Sequence, residues 1–177
     1  MSVRAGKIMA LAGVKLANKS DKELQKLFKE VLDNGMHGLC FSPYEEGQSA
    51  GDEISEEQIR RRMKIIKPYT KWIRTFSCTD GNEIIPRIAH EYGIKTLVGA
   101  WLGDDYDINK REIAGLIKLA KEGYVDIAAV GNEVMYRGDL TEDELLDFMQ
   151  QVKQAIPNVP MGYVDAYYEF TERPRIT

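Results

Sequence analysis

KTLVGAWLGDDYDINKREIAGLIKLAKEGYVDIAAVGNEV, residues 95–134, holds the pattern from which the fold is read. Thr96–Gly103 and Val125–Glu133 are nearly continuous in apolar and small residues. Strands of that kind are buried on both faces, as in a parallel sheet covered by helices. Between them Ile113, Leu116, Ile117 and Ala120 recur at the spacing of one helical face. The passage therefore reads strand, helix, strand.

The same alternation runs outward in both directions. Gly38–Tyr44, Trp72–Cys78 and Met161–Phe170 are the remaining strand candidates, and the starts at 38, 72, 96, 125 and 161 are spaced as βα units are. Helix starts are marked by caps. Ser20-x-x-Glu23, Ser55-x-x-Gln58 and Thr141-x-x-Glu144 have the capping-box form, and Asp80-x-x-Glu83 and Asn109-x-x-Glu112 are looser versions. Leu24, Leu27, Phe28, Val31 and Leu32 predict one buried helical face, and Leu145, Phe148, Met149, Val152 and Ile156 another. Five strands alternating with helices define an α/β protein. No glycine-rich phosphate loop follows any strand, so the nucleotide-binding open sheet lacks its main sign. The expectation is a partial (β/α)8 TIM-type barrel, one domain over 1–177. Residues 1–37 would form an N-terminal helical segment, and 38–177 strands one to five.

Composition limits the partners. With a net charge of -4, the chain lacks the concentrated basic face that nucleic acid or an anionic membrane requires. Arg60, Arg61 and Arg62 form the one basic cluster, on a helix rich in Glu, and read as a solvated face. Cys40 and Cys78 have no metal-ligand spacing with His37 or His90. Free thiols and structural histidines are expected, with no metal or cofactor. No run approaches the ~20 apolar residues that span a bilayer. Lys7 and Lys15 interrupt the first apolar stretch, which is not read as a signal peptide, and a cytoplasmic location is expected.

In a barrel, function sits where the strands end. The polar strand ends here are Ser42 and Tyr44, Arg74 and Cys78, Trp101, Asn132 and Glu133, and Asp165 and Tyr167. The sharpest is Val130-Gly131-Asn132-Glu133-Val134, an apolar strand running into a glycine, an amide and a carboxylate. A glycosidase needs one carboxylic acid that protonates the leaving oxygen. Partial burial near a second carboxylate would raise the pKa of such a group. Read alone, the pair also fits a Glu that caps a helix or forms an ion pair.

GLCFSPY, IRTFSCTDGNE, KTLVGAWLG, DIAAVGNEVMYRGDL and PMGYVDAYYEF together resemble bacterial glycoside hydrolases of family 17, the β-1,3-glucanase family, over residues 36–170. The resemblance implies a barrel whose acid/base follows an Asn at the end of strand four. Counted from Gly38, Glu133 closes the fourth strand. It also implies that Asp165 stands at an acidic substrate-contacting position on strand five. The family's nucleophile, a second Glu at the end of strand seven, has no counterpart here, and Glu169 and Glu172 follow the fifth strand too closely to replace it. Arg74 is placed to hold that nucleophile's carboxylate in a complete enzyme. Asn132 suits a sugar hydroxyl, and Trp101, Tyr44, Tyr136 and Tyr167 suit the apolar face of a pyranose. Packing is the other reading of each aromatic.

The expected activity is retaining cleavage or transfer on β-1,3-glucan, with Glu133 as acid/base and the nucleophile missing from this chain. The alternative is an inactive partial-barrel module that binds carbohydrate or assembles with a partner. The chain is either a gene fragment, a partial barrel completed by copies of itself or by a complementing chain, or a smaller fold without catalysis. An unclosed barrel exposes a strand edge and an apolar surface, so association is expected.

Overall fold

The structure is a computed structural model, and it describes residues 18–177. The reading of the first apolar stretch as no signal peptide falls in residues 1–17, outside the described residues. Among the described residues no helix is long and apolar enough to cross a membrane.

Five parallel strands form one sheet in chain order: β1 (Met36–Cys40), β2 (Thr70–Arg74), β3 (Lys95–Ala100), β4 (Ile127–Asn132) and β5 (Met161–Val164). The helices are α1 (Asp21–Asn34) before β1, α2 (Glu56–Ile66), α3 (Ile85–Glu91) and α4 (Tyr106–Lys121) in the crossovers, the short α5 (Val134–Arg137) after β4, α6 (Glu142–Ala155), and α7 (Tyr167–Glu172) after β5. Sequential order with parallel pairing is the arrangement of a (β/α) barrel, and a closed one takes eight strands. With five, the described sheet is a barrel segment, with β1 and β5 at its edges.

One face of the sheet is buried under helices. Val98, Ala100, Ala128 and Val130 pack on Ile113 and Leu116 of α4 and Leu145, Phe148 and Val152 of α6. A second cluster joins Ile73 to Ile59 and Met63 of α2 and to Ile85, Ile88 and Ala89 of α3. The opposite face, which would line a barrel, carries Cys40, Trp72, Arg74, Leu97 and Ile127 around a shallow hollow of about 240 Å³.

Several sequence expectations are corrected. The strand candidates overran at their C-terminal ends: Met161–Phe170 contains the four-residue β5 and then α7, and Gly38–Tyr44 and Trp72–Cys78 stop being strand at Cys40 and Arg74. Apolar character continues past the last ladder bond because Phe41 and Cys78 are buried in the two core clusters and Phe170 packs against the larger one. β2 begins two residues before Trp72, where the sequence reading started it. Ser20 and Thr141 form full capping boxes, while Ser55 accepts from the Gln58 amide without the reciprocal bond. Gln58 instead donates to the Pro43 carbonyl. Asp80 is no cap; it sits at φ 55 with no side-chain bond to the following turn. Asn109-x-x-Glu112 lies inside α4, whose cap is Asp105, accepting from the amides of Asp107 and Ile108. The apolar stripe of α1 has no buried residue; Phe28 is 65% exposed.

Arg60, Arg61 and Arg62 pair with the acidic residues around them, Arg60 with Glu56 and Glu91 and Arg61 with Glu45. That matches a solvated, charge-balanced face. The histidines have partners that the sequence did not show: His37 stacks on Trp72, and His90 lies 3.0 Å from Asp126. Both thiols are free; Cys78 is buried, whereas Cys40 is exposed. Burial pushes the Cys78 thiol well above its ordinary value, which disfavours the nucleophilic thiolate.

Candidate active site

The site begins with an irregularity in β4. Strand alternation would carry Ile127, Ala129 and Gly131 on one face and put Asn132 on the helix side. Gly131 instead adopts φ 88, and the pairing with β5 shifts register between Ala129 and Asn132. Arg74 of β2 then reaches Asn132, its Nη2 donating to Oδ1 at 2.5 Å. Arg74 also stacks on Phe76, 4.7 Å from guanidinium to ring. The Arg74 Nε is buried without a hydrogen-bond partner among the described residues. The arginine thus orients the amide beside Glu133; it contacts no carboxylate among the described residues.

Glu133 follows directly, at φ 53 in the left-handed region that non-glycine residues rarely occupy. Its amide donates to Val164 of β5 at 2.8 Å, and its carbonyl accepts from Arg137 at 2.9 Å. The backbone is therefore tied on both sides. The side chain makes no cap bond to α5 and is exposed, so the expected partial burial is not found among the described residues.

Asp165 is engaged with the backbone that follows β4. Its Oδ2 accepts from the amides of Met135 at 3.1 Å and Tyr136 at 3.3 Å and from the Tyr163 hydroxyl. The carboxylate therefore anchors the first turn of α5, which holds Glu133 from behind. Burial, then the bond to Asp165, pushes the Tyr163 phenol upward. Tyr167 is 78% exposed at the start of α7, not at a strand end. It packs edge-on against Tyr168, which also meets Tyr136. These three tyrosines form an exposed aromatic group beyond β4 and β5, and Tyr168 was not singled out in the sequence.

On the other side, Tyr44, Phe76 and Trp101 surround a cavity of about 430 Å³ at the ends of β1, β2 and β3. Tyr44 accepts from Asn82 Nδ2 at 3.3 Å. Trp101 is 38% exposed, and the Arg137 guanidinium lies 4.4 Å from its ring. Arg137 also donates to the carbonyls of Leu102, at 2.7 Å, and Asn132, and pairs with Asp139 at 2.6 Å. It ties the end of β3 to the end of β4. The sequence reading passed over it inside VMYRGDL, although a lone Arg four residues past a candidate catalytic Glu was a usable signal.

Glu112 was also missed as a site residue. It is 1% exposed and accepts four bonds: Ser77 at 2.5 Å, Thr79 at 2.7 Å, and the amides of Cys78 at 2.7 Å and Trp101 at 3.1 Å. Burial raises its pKa, opposed by those donors. A carboxyl raised on folding contributes stability that is fully present below the ordinary Glu value of about 4.3 and is lost as pH rises through the folded value. Glu112→Gln removes this dependence. Urea midpoints at pH 4, 6 and 8 are expected to move steadily in favour of the Gln variant as pH rises. A gap that stays constant across that range contradicts a raised Glu112.

The comparisons with known proteins now bear on this geometry. Residues 38–176 match the family described as the BtgE/BtgC glycoside hydrolase domain. The chain belongs to that family. It is also 30% identical over 116 residues to a glucan 1,3-beta-glucosidase of Schizosaccharomyces pombe, covering 59% of this chain and 36% of that protein. Proteins of the same name from Arthroderma benhamiae and Saccharomyces cerevisiae are each 27% identical, covering 60% and 59% of this chain and 36% and 35% of theirs. The chain thus spans little more than a third of the curated relatives it matches. No solved structure matches it. The β-1,3-glucanase-like resemblance read from the sequence agrees with the BtgE/BtgC family, and the segment from β1 to the turn after α7 is what that family's description covers.

Proposed function

We propose that this chain carries the acid/base half of a retaining site acting on β-1,3-glucan, with Glu133 as proton donor and then general base. The observation that carries the reading is the end of β4: Asn132, turned by Gly131 and held by Arg74, followed by a Glu whose backbone is fixed by β5 and α5. The names of the relatives suggest the glucan and its 1,3 linkage. Asn132, Tyr44, Trp101, Tyr136 and Tyr167 are the proposed sugar contacts. Arg74 and Asp165 act on the site through Asn132 and α5.

A retaining site needs a second carboxylate about 5 to 5.5 Å from the first. Glu169 is a poor substitute, being buried and ion-paired with Arg173. The nucleophile is therefore assigned to a carboxylate outside this chain, on a longer polypeptide that contains it, on a second copy or on a complementing chain. The open edges of the sheet support the alternative of a glucan-binding or assembling module.

Laminarin cleavage followed by NMR of the released anomers tests the proposal, with solution mass measured on the same preparation. The β-anomer is expected first, because two displacements restore the starting configuration. Release of the α-anomer first excludes the retaining mechanism. Binding with no release of sugar, in the chain and in any longer protein that contains it, leaves the binding module.

A further inference from the structure

We propose that Glu112 is the positioning residue that sets Trp101 in the wall of the cavity bounded by Tyr44, Phe76 and Trp101, and through it the affinity of that cavity for a glucosyl unit. The inference rests on the glucan reading above for the identity of the sugar, and not on catalysis by Glu133.

The cavity has the build of a pyranose site. Its volume of about 430 Å³ lies in the range of small-ligand pockets, which pair apolar and aromatic walls with a few placed polar groups. Tyr44, Phe76 and Trp101 supply apolar surface, while Ser77, Thr79 and Asn82 supply hydroxyl and amide groups along the same lining. A pyranose has that alternation, with apolar C–H faces and a rim of hydroxyls.

Glu112 explains why the walls hold their places. Cys78 and Trp101 lie past the ends of β2 and β3, so no ladder partner takes up their amides. One carboxyl takes up both, and with them the hydroxyls of Ser77 and Thr79. It reaches them because α4 passes very close to the β2 loop. A Cβ at Gly115, one turn beyond Glu112, would meet the Cys78 carbonyl at 2.7 Å and its Cβ at 2.9 Å. The helix can approach that far only with glycine there. Burying a carboxyl away from water is costly unless it is well bonded. Here one group converts α4 into the brace for two loop ends that line the same cavity.

The test uses the 15N-labelled chain of residues 1–177 and laminari-oligosaccharides, with binding read at the two indole N–H resonances, assigned by Trp72→Phe. The Trp101 indole is expected to shift on titration while that of Trp72 stays in place. In Glu112→Gln the Trp101 amide and indole should move before any sugar is added, and the saccharide Kd should rise about tenfold, the effect of ~1.4 kcal/mol. Trp101→Ala, which leaves the buried network intact, should weaken binding at least as much and covers the case in which the Gln variant does not fold. An unmoved Trp101 indole at saturating saccharide, or an unchanged Kd in a folded Glu112→Gln chain, overturns the proposal. Binding at Trp101 without hydrolysis upholds the subsite and leaves the catalytic reading, which needs a second carboxylate that this chain does not supply, to the assay on a complete protein.

Discussion

Glu133→Gln lowers the rate of β-1,3-glucan cleavage by about 10²- to 10⁴-fold in a protein that carries both carboxylates, the range that general acid–base catalysis contributes. Glutamine preserves the shape of the side chain and cannot deliver a proton to the leaving oxygen. The backbone at this position, at φ 53, is already held by Val164 and Arg137, and a Gln side chain asks nothing different of it. The loss should therefore appear in turnover with little change in stability. The dependence on leaving group makes the result specific. A substrate whose leaving group departs without protonation still forms the glycosyl-enzyme, and a small anionic nucleophile such as azide should then restore release. Reducing-sugar and chromogenic assays with and without azide read both effects. An unchanged rate on laminarin removes Glu133 from the chemistry. A loss that azide never relieves, together with a lowered unfolding midpoint, makes it a structural residue.

The parts of this fold that were legible in the sequence are those set by local pattern. The strand–helix–strand reading of residues 95–134 holds because β3 and β4 are buried beneath α4 and α6, and burial writes continuous apolar runs. The placement of Asn132 at the end of a fourth strand followed from counting those runs. The errors share one physical cause, which is that long-range contacts leave no periodicity. Nothing in the spacing of Asn109 and Glu112 distinguishes a cap from a carboxyl that reaches 33 to 35 residues back to Thr79 and Ser77. Asp165 was legible as a strand-end acid, but its bonds to amides 29 and 30 residues earlier were not, because they depend on β4 and β5 pairing. The apolar stripe of α1 predicted burial, yet a stripe reports only what a helix can cover. The second face of such a helix is decided by its neighbours.

Gly131→Ala should be the most damaging small change near the site, costing about 2–5 kcal/mol. Two independent terms add. Holding a residue with a Cβ in the left-handed region costs roughly 1–2 kcal/mol. The new methyl would also meet Val134 Cγ2 at 2.8 Å and the Tyr163 ring at 3.3 Å, and forcing atoms into a packed core costs about 1–3 kcal/mol. The flexible end of Val134 can yield part of that distance, which is why the range is wide. Gly123 supplies the comparison, since it has φ 87 and nothing within 4 Å of an added Cβ. Gly123→Ala should show the conformational term alone. Urea unfolding of both variants beside the parent chain separates the two terms, and the difference between the midpoints measures how tightly the β4 bulge is packed. The functional consequence follows from the same geometry. If Gly131 leaves φ 88, Asn132 turns back toward the helix side, the Arg74 bond breaks, and Glu133 loses the neighbour that orients its surroundings. The Asn132 side-chain amide resonance should then lose the signature of its bond to Arg74, and hydrolysis by a complete protein should fall together with stability. A Gly131→Ala chain no less stable than Gly123→Ala would mean that the bulge is loosely packed, and that the position of Asn132 is set by Arg74 instead.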